Sequence, residues 1–282
     1  MTISARAANN TGPWFGDHYG INTYAYSQSH SAADCLRHLA DLGTRAVEMM
    51  VYPGHLWIGD AAAERSEIRR VLDESGIRMM SLNAPNIDLN IAAATAEMRE
   101  MTLRMDRAFL ELAADIGAEG IILGPGKANP LFPLQAETLD GHFFTALDIL
   151  APLAEQLGVK LFVENMPFAY LPAAQEVMDR LERYGRDDIE VCYDVANGHF
   201  IGEDPAKGLA TCAPRLGLVH VSDTGRDTFR HDRLGTGTLD LAPLPAAIAD
   251  TGYAKPVLLE IITADPDPDI AASIAALDAH GF

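Results

Sequence analysis

The feature that most limits how this chain can fold is a repeated alternation. Apolar runs of strand length are separated by longer segments of helical period, and the pattern continues to the C-terminus. The spacing predicts strands at Gly20–Tyr26, Ala46–Tyr52, Arg78–Asn83, Gly120–Gly124, Lys160–Glu164, Glu190–Asp194, Gly217–Ser222 and Pro256–Ile262. Proline suits the first residue of the last strand, because no ladder hydrogen bond is lost there. Helices are expected over Ser31–Leu42, Ala61–Ser75, Ala94–Ile116, Ala136–Leu157 and Ala173–Tyr184. Gly43, Gly76, Gly117, Gly158 and Gly185 stand at the stop positions, where a left-handed residue closes a helix.

Strands followed by helices call for a parallel sheet, since parallel neighbours need crossovers. Eight such units in 282 residues fit a closed (β/α)8 TIM barrel better than an open doubly wound sheet. No glycine fingerprint follows the first strand, as an open nucleotide-binding sheet would require. The expectation is an α/β protein with one barrel domain over residues 1–282, residues 1–16 forming a loose tail.

Four of these strands end on a polar residue. KLFVE stops at Glu164, VCYD at Asp194, GLVH at His220 and VLLE at Glu260, with intervals of 30, 26 and 40 residues. A titratable group finishing a core strand is costly unless something pairs it. At the carboxyl ends of successive strands the four would meet at the barrel mouth, where active sites sit. Three anions and one imidazole cannot satisfy one another, and a divalent cation resolves the conflict. Taken singly, each residue is better read as a helix cap or an exposed strand end. That explanation does not reproduce the spacing of all four together. The donor set is hard and oxygen-rich. It favours Mn2+, then Mg2+, with Co2+, Fe2+ and Zn2+ also admitted by these ligands.

The phrases VENMP, CYDVANGHF, LVHVSDTGRD, LGTGTLD and LLEI resemble the xylose-isomerase-like barrel superfamily, in its sugar phosphate isomerase/epimerase branch. The resemblance runs from about Gly20 to Glu260 and is strongest from the fifth strand onward. It implies the same four metal ligands: Glu164, Asp194, His220 and Glu260. In the D-tagatose epimerase subgroup the two glutamates also act as an acid–base pair, which here implies Glu164 and Glu260. That subgroup carries an arginine six residues after the strand-seven histidine, and Arg226 stands at this offset. Glu48, ending the second strand, matches a substrate-facing acid common in the superfamily, with a solvated strand end as the competing reading. Two positions depart from the subgroup. Asn197 replaces a histidine, with His199 two places later, and Tyr170 replaces a glutamate. Those residues grip the sugar in the subgroup, so the resemblance does not carry over a free ketohexose as substrate.

The apurinic endonuclease branch shares the barrel but needs further histidines for three metals. Here the fourth strand ends LGPG, Asn197 and Phe229 stand at ligand positions, and only His231 remains of that set. A formal net charge of −19 also opposes a polyanionic partner. The expected activity is therefore isomerisation or epimerisation of a keto-sugar or related polyol through an enediolate. Arg226 would orient the substrate, and His199 or His231 would shuttle a proton. A dehydratase of a keto-polyol or dehydroshikimate-like acid starts from the same proton abstraction, and a non-catalytic metal-binding module is a third reading.

Weaker signals complete the reading. His55 and Trp57 wall a sugar pocket or anchor a loop, and Asn83 and Asn86 line a pocket or form a turn. Asp223 fixes loop geometry, and LGTG at Leu234–Gly237 is a weak phosphate cradle. GPGK at Gly124–Lys127 lacks the first glycine of a phosphate loop. Met98, Met101 and Met105 read as core packing. Cys35, Cys192 and Cys212 read as buried thiols of a reducing compartment, and no apolar run is long enough to span a membrane. A cytoplasmic enzyme with a small-molecule substrate is expected, and homo-oligomerisation is left open.

Overall fold

A computed structural model describes residues 17–282. The tail expected over residues 1–16 lies outside the described residues. Eight parallel strands close into one barrel in sequence order. The strands are β1 (Tyr19–Asn22), β2 (Ala46–Met50), β3 (Arg78–Asn83), β4 (Gly120–Leu123), β5 (Lys160–Glu164), β6 (Ile189–Asp194), β7 (Leu216–Val221) and β8 (Val257–Leu259). Helices α1 (Ala32–Leu42), α2 (Ala62–Ser75), α3 (Ala96–Ile116), α4 (Ala136–Leu157) and α5 (Ala174–Tyr184) follow the first five strands. After β6 the crossover is split into α6 (Val195–Phe200) and α7 (Pro205–Cys212); α8 (Leu244–Asp250) and α9 (Pro266–Ala279) complete the ring. The five glycines at the ends of α1 to α5 adopt φ between 69° and 94°, the left-handed region that a Cβ disfavours.

Several strands stop short of the apolar runs expected for them, β1 and β8 most of all. The side chain of Asn22 accepts a hydrogen bond from the Tyr24 amide at 2.8 Å, turning the chain into a single 3-10 turn over Tyr24–Tyr26. Beyond Leu259 the chain leaves the ladder, and the Ile262 amide bonds the His231 carbonyl at 2.7 Å. A further expectation fails on α3: Met98 and Met101 are both 46% exposed, and only Met105 packs against the core. They lie on the outer face of a helix whose inner stripe is supplied by Phe109, Leu110 and Ile116.

Inside the barrel, Ala46, Met80, Ile122, Phe162, Cys192, Leu218 and Leu258 form a separate apolar plug. Phe162 fits at its centre because β4 and β7 supply glycine there: a Cβ on Gly120 or Gly217 would collide with its ring. Side chains on a strand repeat direction every second residue. The residues two positions beyond Phe162, Cys192, Leu218 and Leu258 therefore form the next layer up, and they are Glu164, Asp194, His220 and Glu260. The three cysteines are free and buried. Among the described residues, no helix is long and apolar enough to cross a membrane.

Candidate metal centre and its cavity

The four polar strand ends converge. One ligand atom from each of Glu164, Asp194, His220 and Glu260 lies within 4.8 Å of all the others, and all four residues are buried. His220 is central. Its Nδ1 is 3.1 Å from Glu260 Oε2, 3.4 Å from Glu164 Oε1 and 3.9 Å from Asp194 Oδ2. Its Nε2 points the other way, 3.0 Å from Glu48 Oε1. A proton held on Nε2 by Glu48 would leave Nδ1 as the nitrogen able to give up its proton and ligate a cation among the three carboxylates.

Glu48 is fully buried and lies behind His220. Asn22 Nδ2 donates to it at 2.6 Å, Asn83 Nδ2 at 3.0 Å, and Ser81 Oγ to its other oxygen. Burial would raise its pKa, but His220 and these donors outweigh burial and hold the carboxyl below the usual range. Asn22 and Ser81 escaped the sequence reading. The rule that found the four strand-end residues missed Asn22, because the apolar run continues past it to Tyr26 although β1 stops there.

Asp194 serves two purposes at once. Oδ1 caps α6 by accepting the Asn197 amide at 2.8 Å. Oδ2 is buried without a hydrogen-bond partner, facing His220 and the His231 ring. Burial raises the Asp194 pKa to about 6, with His231 opposing and Glu260 reinforcing the rise. Glu164 is likewise raised, by burial first and by Asp194 and Glu48 against the pull of His220. Burial works against a charged His220, yet the neighbouring Cys192, Glu48 and Glu260 together take its pKa well above the ordinary value. One imidazole cannot neutralise four buried acids, so the residues fit a divalent cation held by Glu164, Asp194, His220 and Glu260.

Above the centre opens a cavity of about 660 Å³. Of the four ligands only Glu164 and Glu260 line it; Asp194 and His220 lie deeper. His231 joins them at the floor, with Nδ1 3.6 Å from Glu260 Oε2 and 3.0 Å from Ser222 Oγ. The loop after β7 is folded over the site by paired backbone bonds between Asp223 and Asp232, and these bring His231 inward. Asn83, Asn86 and Asn197 also line the cavity.

Other expected site residues lie elsewhere. His199 is buried outside the cavity, its Nε2 bonded to Thr238 Oγ1 at 2.8 Å. Burial and nearby Arg226 lower its pKa. Arg226 itself is exposed and does not line the cavity. His55 anchors a loop, with Nδ1 on the His30 carbonyl and Nε2 on Thr23 Oγ1, and Trp57 packs edge-on against Phe109. LGTG is no phosphate cradle, because the Gly235 amide already binds the Asp223 carboxylate at 2.8 Å. Asp223 also takes the Thr224 and Leu239 amides, fixing the loop as expected.

The family model described as Xylose isomerase-like TIM barrel matches residues 36–280. An uncharacterised protein of Methanocaldococcus jannaschii is 24% identical over 189 residues; the match covers 64% of this chain and 63% of that protein, short of two thirds of its length. The inosose dehydratase of Geobacillus kaustophilus is 23% identical over 292 residues, covering 93% of this chain and 86% of the relative. Among solved structures, a D-tagatose 3-epimerase-like protein superposes with a TM-score of 0.82 at 17% identity, over 93% of this chain and 96% of the other. At that identity the likeness speaks for the fold alone.

Proposed function

The chain belongs to the xylose isomerase-like TIM barrel family, and from that premise we propose that it is a metal-dependent isomerase or epimerase. Its substrate class is a keto-sugar or related polyol. The observation that carries the proposal is the division of labour among the four ligands. Glu164 and Glu260 border the cavity, while Asp194 and His220 lie beneath it. A buried carboxylate that both faces substrate and flanks a cation site is placed to carry a proton.

When bound, a divalent ion supplies the Lewis acidity that polarises a carbonyl and offsets the charge of an enediolate. The oxygen-rich donors favour Mn2+ among the candidates. Glu164, raised in pKa by burial, takes the proton from the carbon next to the carbonyl. Glu260 returns a proton to the same carbon in epimerisation, or to its neighbour in isomerisation. His231, 3.6 Å from Glu260, is placed to exchange that proton with the cavity. Glu48 acts through His220, holding its Nε2, and we give it a positioning role in place of the expected contact with substrate. Of the three groups expected to touch substrate beside it, the proposal keeps His231; His199 and Arg226 lie outside the cavity. The free buried thiols suit a reducing compartment, consistent with a cytoplasmic enzyme.

The test is solvent deuterium exchange into a panel of keto-sugars with the Mn2+-loaded protein. Glu164→Gln and Glu260→Gln should each slow exchange by about 100-fold or more, the range of a lost general acid or base. Undiminished exchange in both variants would overturn the assignment. The likeness to inosose dehydratase favours a second reading, in which the same proton abstraction is followed by loss of a β-hydroxyl. Growth of ultraviolet absorbance from a conjugated product would select it.

A further inference from the structure

We propose that the outer half of the cavity is a binding subsite for an apolar, preferably aromatic, substituent, so that the substrate is a neutral glycoside that keeps a free ketone on its ring, rather than a free or phosphorylated sugar. The proposal rests on the sugar-binding reading above and deepens it.

The first observation is size against polarity. A free hexulose has about a dozen heavy atoms, whereas a cavity of this class accommodates a drug-sized molecule. The groups able to bond hydroxyls (Glu164, Glu260, His231, Asn83 and Asn197) gather at the floor. The outer wall is made instead by Met50, Ile87, Leu89, Met166, Phe168 and Phe229. A sugar held at the floor leaves this wall in contact with water.

The second observation is that four of the eight exposed large apolar side chains among the described residues meet at one cavity; Met98, Met101, Leu131 and Phe132 lie elsewhere. Ile87 is 70% exposed and Phe168 66%, and Tyr52 and Ile262 are exposed beside them; all four line this one cavity. Large apolar groups concentrated at a mouth mark a binding surface. The Phe168 and Phe229 rings meet edge to face at 5.5 Å, and Phe200 packs against both. Phe229 in turn stands 5.1 Å from the His231 ring, so the aromatic wall is continuous with the floor.

The third observation is charge. Lys127 is the only lysine or arginine among the described residues that line the cavity, and its Nζ is bonded to the Ile87 carbonyl. Asp88 lies close enough to act on it. Three carboxylates (Asp88, Glu164 and Glu260) line the same space. A phosphate bearing about −1.5 to −2 charge would meet no free cationic clamp there.

The experiment compares ligands by titration calorimetry on the Mn2+-loaded chain. p-Nitrophenyl β-D-glucopyranoside should bind at least about tenfold tighter than methyl β-D-glucopyranoside. Glucose 6-phosphate should bind more weakly than the methyl glucoside. Phe168→Ala, at an exposed position that tolerates truncation, should shrink the aryl preference to under about threefold. Equal binding of the two glucosides, no binding of either, or tighter binding of the phosphate would overturn the subsite. The deuterium-exchange assay reads the active-site proposal separately. Exchange without aryl preference sinks the subsite alone, and aryl preference without exchange sinks the acid–base reading alone.

Discussion

Two layers of the barrel interior, one pleat apart, solve opposite problems. The lower layer, with Phe162 at its centre, is wholly apolar and gains free energy from burial and close packing. The layer two residues higher carries Glu164, Asp194, His220 and Glu260, also buried but with two of them bordering the cavity and like charges facing one another. Packing in the plug involves no titratable acid or base that changes charge near neutral pH, whereas the ring sets three carboxylates and an imidazole against one another. The difference teaches that packing energy resides in the layer beneath the ring, so the barrel can place unfavourable charges above it. It supports a ring whose charges are left for a ligand to settle.

The largest effect that would sharpen this contrast is in the plug. Phe162→Ala should cost about 3–5 kcal/mol in urea unfolding, since Gly120 and Gly217 leave nothing to collapse into the space. A cost below about 1 kcal/mol would mean that the plug is not what holds the barrel closed.

A carboxylate outside both layers supplies the second comparison. Asp106, buried on α3 with Oδ2 unpartnered, has its pKa pushed up to about 8 by burial alone. A raised acid keeps its full stability below the unfolded pKa of about 3.9 and loses it as pH climbs toward 8. Stability should therefore fall by on the order of a few kcal/mol between pH 4 and 8 from this residue. Asp106→Asn should flatten that slope in denaturation curves taken across the range. An unchanged slope would show that Asp106 finds a partner on relaxation, unlike the ring.

The smallest effect probes the ring through its support. Glu48→Gln keeps the volume but removes the charge that holds His220 Nε2. Affinity for Mn2+ should drop about 10- to 100-fold by calorimetry, with little change in unfolding of the metal-free chain. Unaltered affinity would mean that His220 needs no such anchor, and the two layers would then be less distinct.

Much of this was legible in residue order, because the signals were local. The alternation of apolar runs announced eight βα units, and the glycine stops fell where left-handed caps formed. The two terminal strands were overdrawn, since an apolar run continues past the point where Asn22 or the His231 carbonyl captures the backbone. The methionines of α3 misled because an unbranched apolar side chain is tolerated on an outer face as well as an inner one.

Within the site, the four residues of the candidate metal centre could be read directly: strand termini and a period of two fix their direction without long-range information. Loop residues could not. Arg226 stands at a familiar offset yet points outside the cavity, and His199 is tied to Thr238. His231 reaches the centre only because Asp223 pairs with Asp232 across the loop. Glu48 was expected to end its strand, but it lies in the middle of β2, where Asn22, Ser81 and Asn83 claim its oxygens and turn it into a support. The sequence alone determined the barrel and the acids at its rim, because backbone periodicity sets which way a strand residue faces. Only the tertiary structure decided which loop groups join them and how the aromatic wall is assembled, because a loop's path is set by hydrogen bonds to residues far away in the chain.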